Sequence, residues 1–402
     1  MSTFVISRYS LSLGAAIALL TGCNDSEPML SPSQKVTLQQ AMPYEAYDIL
    51  HEFSDSKFDG RYPSAELIDV NGSLYGTTAG GGSYGDGGTV FSITKTGKET
   101  VLYSFGRNGD GATPEAGLLN VHGTLYGTTL SGGRESYYSA GTVFSITRDG
   151  KEHLLHTFSS PDTYYQPNNG IHPTAGLIDV NGTLYGTTEQ GGLAFYCGTV
   201  FSVTVSHKFK VLHKFCATPD DGEQPEAALL DVNGTLYGTT YYGGALGVGT
   251  IFSITQTGDY HTLYSFGTTQ NDGEDPASAL INVNGTLYGT TTGGNYNHGT
   301  VFSITTHGML KTIYRFSGND GSDPLAGIID VKDTLYGTTA LGGANNDGTV
   351  FSVTTSGTET VLHGFSPATG GEDPRAGLLR ISSRLYGTTY GPGAGIVFSL
   401  KR

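Results

Sequence analysis

Leu74-Tyr75-Gly76-Thr77-Thr78 decides the reading of this chain, because the same five residues return at Leu125, Leu184, Leu236, Leu287, Leu335 and Leu385. Successive copies start 51, 59, 52, 51, 48 and 50 residues apart. A repeat of this length marks an array or ring of small units, none of which can bury its apolar face alone. Outward from the motif every unit reads alike. In the second unit, residues 116–121 form a short apolar run, His122-Gly123 a two-residue turn, and residues 124–129 a returning strand. Four other units place Asn-Gly at that turn, as at Asn71-Gly72. That is a strong hairpin signal, since both turn residues need positive φ. A glycine-rich loop follows, then residues 141–146, a second two-residue turn at Asp149-Gly150, and residues 153–158. Each unit therefore holds four antiparallel strands, A to D, rich in the β-branched and aromatic residues that strands favour.

Four strands per unit, seven times over, predict an all-β fold, a seven-bladed β-propeller with four antiparallel strands per blade. The two ends of the repeat region agree. The last unit has strands A, B and C (residues 376–381, 384–389 and 396–400) but no D. The missing strand matches residues 47–53, ahead of the first unit. An N-terminal strand completing the last blade would close the ring and remove an exposed sheet edge.

The pattern Asn-Gly-Thr-Leu-Tyr-Gly-Thr-Thr, Gly-Gly, Gly-Thr-Val-Phe-Ser-Ile resembles the bacterial tandem repeat called GloVer (Gloeobacter–Verrucomicrobia). The resemblance covers nearly all of the chain after Met42. It implies an exported protein held by an anchor, and brings no catalytic residues with it.

Three regions follow. Residues 1–22 read as a lipoprotein signal peptide, with Arg8, an apolar run over residues 11–20, and the lipobox Leu20-Thr21-Gly22-Cys23. Cys23 would carry the lipid, and residues 23–43 would be a flexible tether. The propeller occupies residues 44–402. The predicted location is the bacterial cell envelope, touching the membrane only through the anchor. A formal charge of −15 argues against nucleic acid or an electrostatic grip on anionic lipid. The expected state is a monomer without metal or cofactor.

Export makes a disulfide available to the other two cysteines. Counting outward from a two-residue turn at Ser206-His207 sets Val205 against Lys208 and Cys197 against Cys216. Opposed residues on antiparallel strands lie about 4.5–5.5 Å apart, which suits that bond.

The A-to-B and C-to-D links are short, whereas the B-to-C and D-to-A links run to about ten residues or more and share one face. Loops on a rigid scaffold carry function, so the long-loop face is the candidate binding face. Its B-to-C and D-to-A loops hold Tyr137, Tyr138, Tyr164, Tyr165, Tyr196, Tyr241 and Tyr242. Tyr offers an apolar face and a polar tip, suited to a glycan or protein ligand. The same face carries Asp-Gly-x-x-Pro in five units, at Asp59, Asp110, Asp221, Asp272 and Asp320. These read as turns more readily than as a cation-binding ring with Asp275 and Asp323. The strand D positions His51, His156, His213 and His363 alternate with tyrosines, as structural sites do. No nucleophile–base pair stands out. The leading functional expectation is a ligand-binding module. The alternatives are a structural surface protein, or a carbohydrate-active hydrolase or lyase at the loop end of the axial channel. For the enzyme, Asp110, Glu115, Glu135, Asp162, Asp221 and Glu223 are the carboxylates to pair.

Overall fold

The computed structural model describes residues 47–107, 109–133, 140–158, 169–294, 298–368, 370–391 and 393–402, all within the unit Glu45–Arg402. Cys23 and the rest of the predicted signal and tether lie outside the described residues, as do Tyr137, Tyr138, Tyr164 and Tyr165. Seven four-stranded antiparallel sheets form a seven-bladed β-propeller, and there is no helix among the described residues. In blade 1, strands A to D are Ile68–Val70, Ser73–Thr78, Thr89–Thr94 and Glu99–Ser104. In blade 7, A is Leu379–Ile381, B is Arg384–Thr389, C is Ile396–Lys401, and D is Tyr47–Glu52. Ile49 sits opposite Phe398 and Tyr47 opposite Leu400, so the N-terminal strand closes the ring. Strand A of each of blades 1 to 5 touches strand A of the next blade, and that of blade 7 touches that of blade 1. The A strands therefore surround the axis and the D strands form the outer wall.

The repeated motif is explained residue by residue. Side chains alternate faces along a strand. Leu74 is fully buried in a cluster with Leu50, Phe53 and Tyr386 of blade 7, whereas Tyr75 packs with Leu118, Leu125 and Phe144 of blade 2. Gly76 has no room for a side chain, because a Cβ there would lie 2.7 Å from Cζ of Phe91. Thr77 Oγ1 donates to Ala116 O of the next blade at 3.0 Å. Thr78 Oγ1 shares a 2.8 Å bond with Thr89 Oγ1 on strand C. The inter-blade bond recurs from Thr128, Thr187, Thr239, Thr338 and, across the seam, Thr388 to Ala65 O, while Thr290 reaches both Ala326 O at 3.4 Å and Pro324 O at 2.9 Å. Seven apolar clusters fill the seven junctions, the seam included. In each, the Phe after strand D meets a strand C Phe of the next blade edge to face, from Phe53–Phe91 at 5.2 Å to Phe365–Phe398 at 5.3 Å. Burying one such ring is worth about 1.5–3 kcal/mol. The core is thus distributed between blades, and no blade has one of its own.

Two expectations about the C-to-D hairpin need correction, although Cys197 and Cys216 are bonded, with Cα atoms 5.6 Å apart. The link is not a two-residue turn. Thr204 and Lys208 pair, leaving Val205-Ser206-His207 as a three-residue loop with His207 at φ 64°. Such loops end in a left-handed residue, usually Gly, as at Gly97 in blade 1. The register near the turn is accordingly one residue off from that counted above. A bulge between Val200 and Phe201, opposite Leu212, restores it before the cysteines. The same bulge occurs where strand C meets strand D in every blade, placing an apolar residue such as Leu102 or Leu212 against the junction.

Candidate functional site

The D-to-A and B-to-C loops of each blade pair across the long-loop face, as two-stranded ribbons such as Gly60–Arg61 with Gly80–Gly81 or as single bridges such as Glu274 with Gly293. This pairing fixes the residue before each loop proline. Tyr62, Thr113, His172, Gln224, Asp275, Asp323 and Asp373 all have φ between 54° and 62°. Left-handed backbone is costly for a side-chain-bearing residue, about 1–3 kcal/mol. The conformation persists because its amide and carbonyl are both used. Gln224 N donates to Cys197 O of blade 3, and Gln224 O accepts from Tyr241 N. The carbonyl of every one of the seven accepts the equivalent bond.

Several side chains at these positions, and some one residue past the prolines, come together where the A strands begin, at the axial mouth. Asp373 accepts from Arg375 Nε at 2.8 Å, and Arg375 lies 4.5 Å over the ring of Tyr390. Tyr390 stacks in turn on Tyr62 of blade 1, with centroids 4.8 Å apart. Arg375 also feels Glu115 of blade 2, beyond blade 1. Glu115 and Glu226 both feel Glu189, and Glu226 feels Asp275. Asp323 feels Asp373. The result is a cluster of carboxylates in which Arg375 offsets Asp373 and Glu115.

Their acidities reflect this crowding. Burial first, then Glu189 and Asp275, pushes the Glu226 carboxyl up to about 7. Burial and neighbouring Glu274 push Asp275 up to about 6. Burial and the adjacent carboxylates also raise Glu115 and Asp323. Below the mouth, Glu66 occupies a position that is Gly or Ala in the other blades. A Cβ built on Gly377 would lie 3.1 Å from its Oε2. Glu66 is open to solvent yet walled by protein, and that enclosure lifts its carboxyl to about 7.

The loop aspartates are committed elsewhere. Asp221 accepts from the backbone N–H groups of Ala217 and Gly222 and lies 3.1 Å from His213 Nε2. Asp110 accepts from Tyr103 Oη at 2.9 Å, and Asp272 from Tyr264 Oη at 2.6 Å. The His/Tyr position of strand D is therefore the clasp of the turn. Blades lacking the Asp leave their histidine without it. His156 stacks on Phe209, His363 on Tyr47, and burial drives both down to about 4.

Of the predicted aromatic patch, Tyr196 is 61% exposed and Tyr242 is 43% exposed. Tyr241 is half-buried, its ring meeting that of Tyr242 edge-on at 4.7 Å. Among the described residues no ring contact joins Tyr196 to Tyr242. Of the carboxylates proposed for an enzyme, Glu115 lies in the mouth, Asp110 and Asp221 are turn clasps, and Glu135 and Asp162 are outside the described residues. Reading the sequence missed Glu66, Glu189, Glu226 and Arg375. Aligning the seven units would have found them, as the variable residues within an invariant frame around each proline.

These features define a seven-bladed propeller with an acidic axial mouth on its long-loop face. The chain belongs to the Gloeobacter/Verrucomicrobia repeat family, whose repeat matches residues 33–171, 163–329 and 292–402. No curated protein matches it in sequence. Among solved structures, a puromycin hydrolase aligns with TM-score 0.52 and 13% identity, over 87% of this chain and 52% of that one. The chain thus spans about half the length of that hydrolase. The BP39L lectin from Burkholderia pseudomallei aligns with TM-score 0.57 and 9% identity, over 85% of this chain and 96% of the lectin. At such identities the likeness is one of fold.

Proposed function

We propose that the protein is a ligand-binding propeller of the bacterial cell envelope, anchored by a lipid on Cys23, which takes a positively charged group of a protein or peptide ligand at its axial mouth. The observation that carries this reading is the convergence of Glu115, Glu189, Glu226 and Asp275, of which Glu115 feels the Arg375 cation. Carboxylates held this close repel one another, and an entering ammonium or guanidinium relieves the repulsion while forming charge-assisted hydrogen bonds. Side chains held in costly left-handed backbone, where glycine would be free of strain, support a use for the side chains themselves. Because both loops are tied down, binding orders little backbone. The exposed rings of Tyr196 and Tyr242 offer rim contacts. The lipobox and the disulfide support export.

The test is titration of protein lacking residues 1–23 with an oligo-arginine peptide and a neutral oligosaccharide. The expected result is salt-dependent peptide binding that falls at least tenfold in the double variant Glu226→Gln/Asp275→Asn. Equal binding by the variant rejects the mouth as the site. One observation keeps a hydrolase reading alive: Glu226 near 7 beside Asp275 near 6 suits proton transfer at neutral pH. Glycoside turnover abolished by either single substitution would favour that reading.

A further inference from the structure

The seam between blades 7 and 1 differs from the other junctions on the outer wall. There His51 of strand D and Asp59 of its following loop meet Glu99, the first residue of strand D in blade 1. One ligand atom from each, all within 4.8 Å of one another, forms a compact His–Asp–Glu group. His51 Nε2 lies 3.8 Å from Asp59 Oδ1. Both His51 Nε2 and Glu99 Oε1 are shielded from solvent and have no hydrogen-bond partner. An unpaired buried carboxylate oxygen is costly, and such an atom calls for a partner.

No other described junction offers this set. After strand D of blades 2 and 6 the Asp is missing, and the neighbouring blade presents Phe209 or Tyr47 as a stacking ring to His156 or His363. His213 has Asp221, but Tyr260 of blade 4 stacks on it at 3.8 Å where Glu99 would stand. Tyr103 with Asp110 faces Glu152, Tyr264 with Asp272 faces Leu310, and Tyr314 with Asp320 faces Glu359, and in all three a phenol replaces the imidazole. Asp59 is already aimed, its Oδ2 accepting from Ser54 N and Oγ and its Oδ1 from Gly60 N. Burial and the nearby Asp59 charge push the Glu99 carboxyl up to about 7, while His51 opposes the shift.

We propose that His51, Asp59 and Glu99 bind a divalent first-row transition metal, which fastens the N-terminal strand to blade 1. One imidazole and two carboxylates suit zinc or manganese, whereas calcium prefers six to eight oxygens. Donors about 2.1 Å from a tetrahedral ion stand about 3.4 Å apart, so the His51–Asp59 gap needs to close only slightly. Water completes the coordination. Because the ion would bridge the strand that closes the ring to the first blade, binding favours the closed form by mass action.

The test is calorimetric titration of untagged, disulfide-intact protein with ZnCl2, MnCl2 and CaCl2, with thermal unfolding in parallel. The expected result is one zinc site per chain and a higher Tm with zinc than with calcium. Glu99→Gln lowers zinc affinity at least tenfold. His51→Tyr does the same while restoring the Tyr–Asp clasp of blades 1, 4 and 5, so a folding defect does not confuse the outcome. Glu359→Gln leaves zinc affinity unchanged. Absence of saturable zinc binding, or equal affinity in wild type and both seam variants, overturns the proposal.

Discussion

The junctions between blades and the axial mouth obey opposite rules. At the junctions the same atoms recur seven times, with a threonine hydroxyl reaching the next blade and a phenylalanine pair meeting edge to face. At the mouth the backbone recurs seven times but the side chains do not, running from Tyr62 and Thr113 through Gln224 to Asp373. Recurrence marks what every blade needs in order to stand against its neighbour. Divergence on an invariant frame marks what the ring can use once it stands.

This contrast can be broken at either end. The largest effect is expected from Phe201→Ala, which empties a fully buried position between blades 2 and 3. It should cost about 3–5 kcal/mol in denaturant unfolding; a loss below 1 kcal/mol would mean the junctions do not carry the fold. Cys197→Ala removes a bridge between residues 19 apart and should cost about 3 kcal/mol under oxidising conditions and much less in reductant, where only the packing of the buried sulfur is lost. Thr128→Val strands the carbonyl of Ala175 and should cost about 1–3 kcal/mol. The seam bond from Thr388 to Ala65 O is longer, at 3.4 Å, so Thr388→Val should cost less than Thr128→Val. The mouth should respond in the other direction. Glu226 has its folded pKa raised from 4.5 to about 7. Stability linked to that group is present below pH 4.5 and is lost as pH rises through 7. Glu226→Gln should therefore unfold at a higher temperature than wild type at pH 8 and at the same temperature near pH 4. A variant less stable at pH 8 would show the carboxylate to be structural.

Much of the junction was legible because period-2 alternation, Asn-Gly turns and a missing final strand are local or countable signals. The disulfide was reached through two errors that cancelled, a turn one residue too short and an overlooked bulge opposite Leu212. Bulges leave no residue-type signature when the extra residue is an ordinary leucine. The mouth was illegible for a different reason. Glu66, Glu226 and Arg375 sit on separate blades about 40 to 310 residues from their partners on other blades, and only ring closure brings them together. Exposed tyrosines drew notice instead, because their chemistry is visible one residue at a time.

Closure by the N-terminal strand also sets a timetable for the nascent chain. Residues 47–52 are the first strand of the ring to be made, yet the strand that pairs with them, 396–401, is made more than 340 residues later. At about 5–20 residues per second that delay lasts roughly 20–70 s. Throughout it, the strand at 47–52 is a bare edge, open to adhesion with other polypeptides, so biogenesis favours a holdase or slow, sheltered delivery until residues 396–401 arrive.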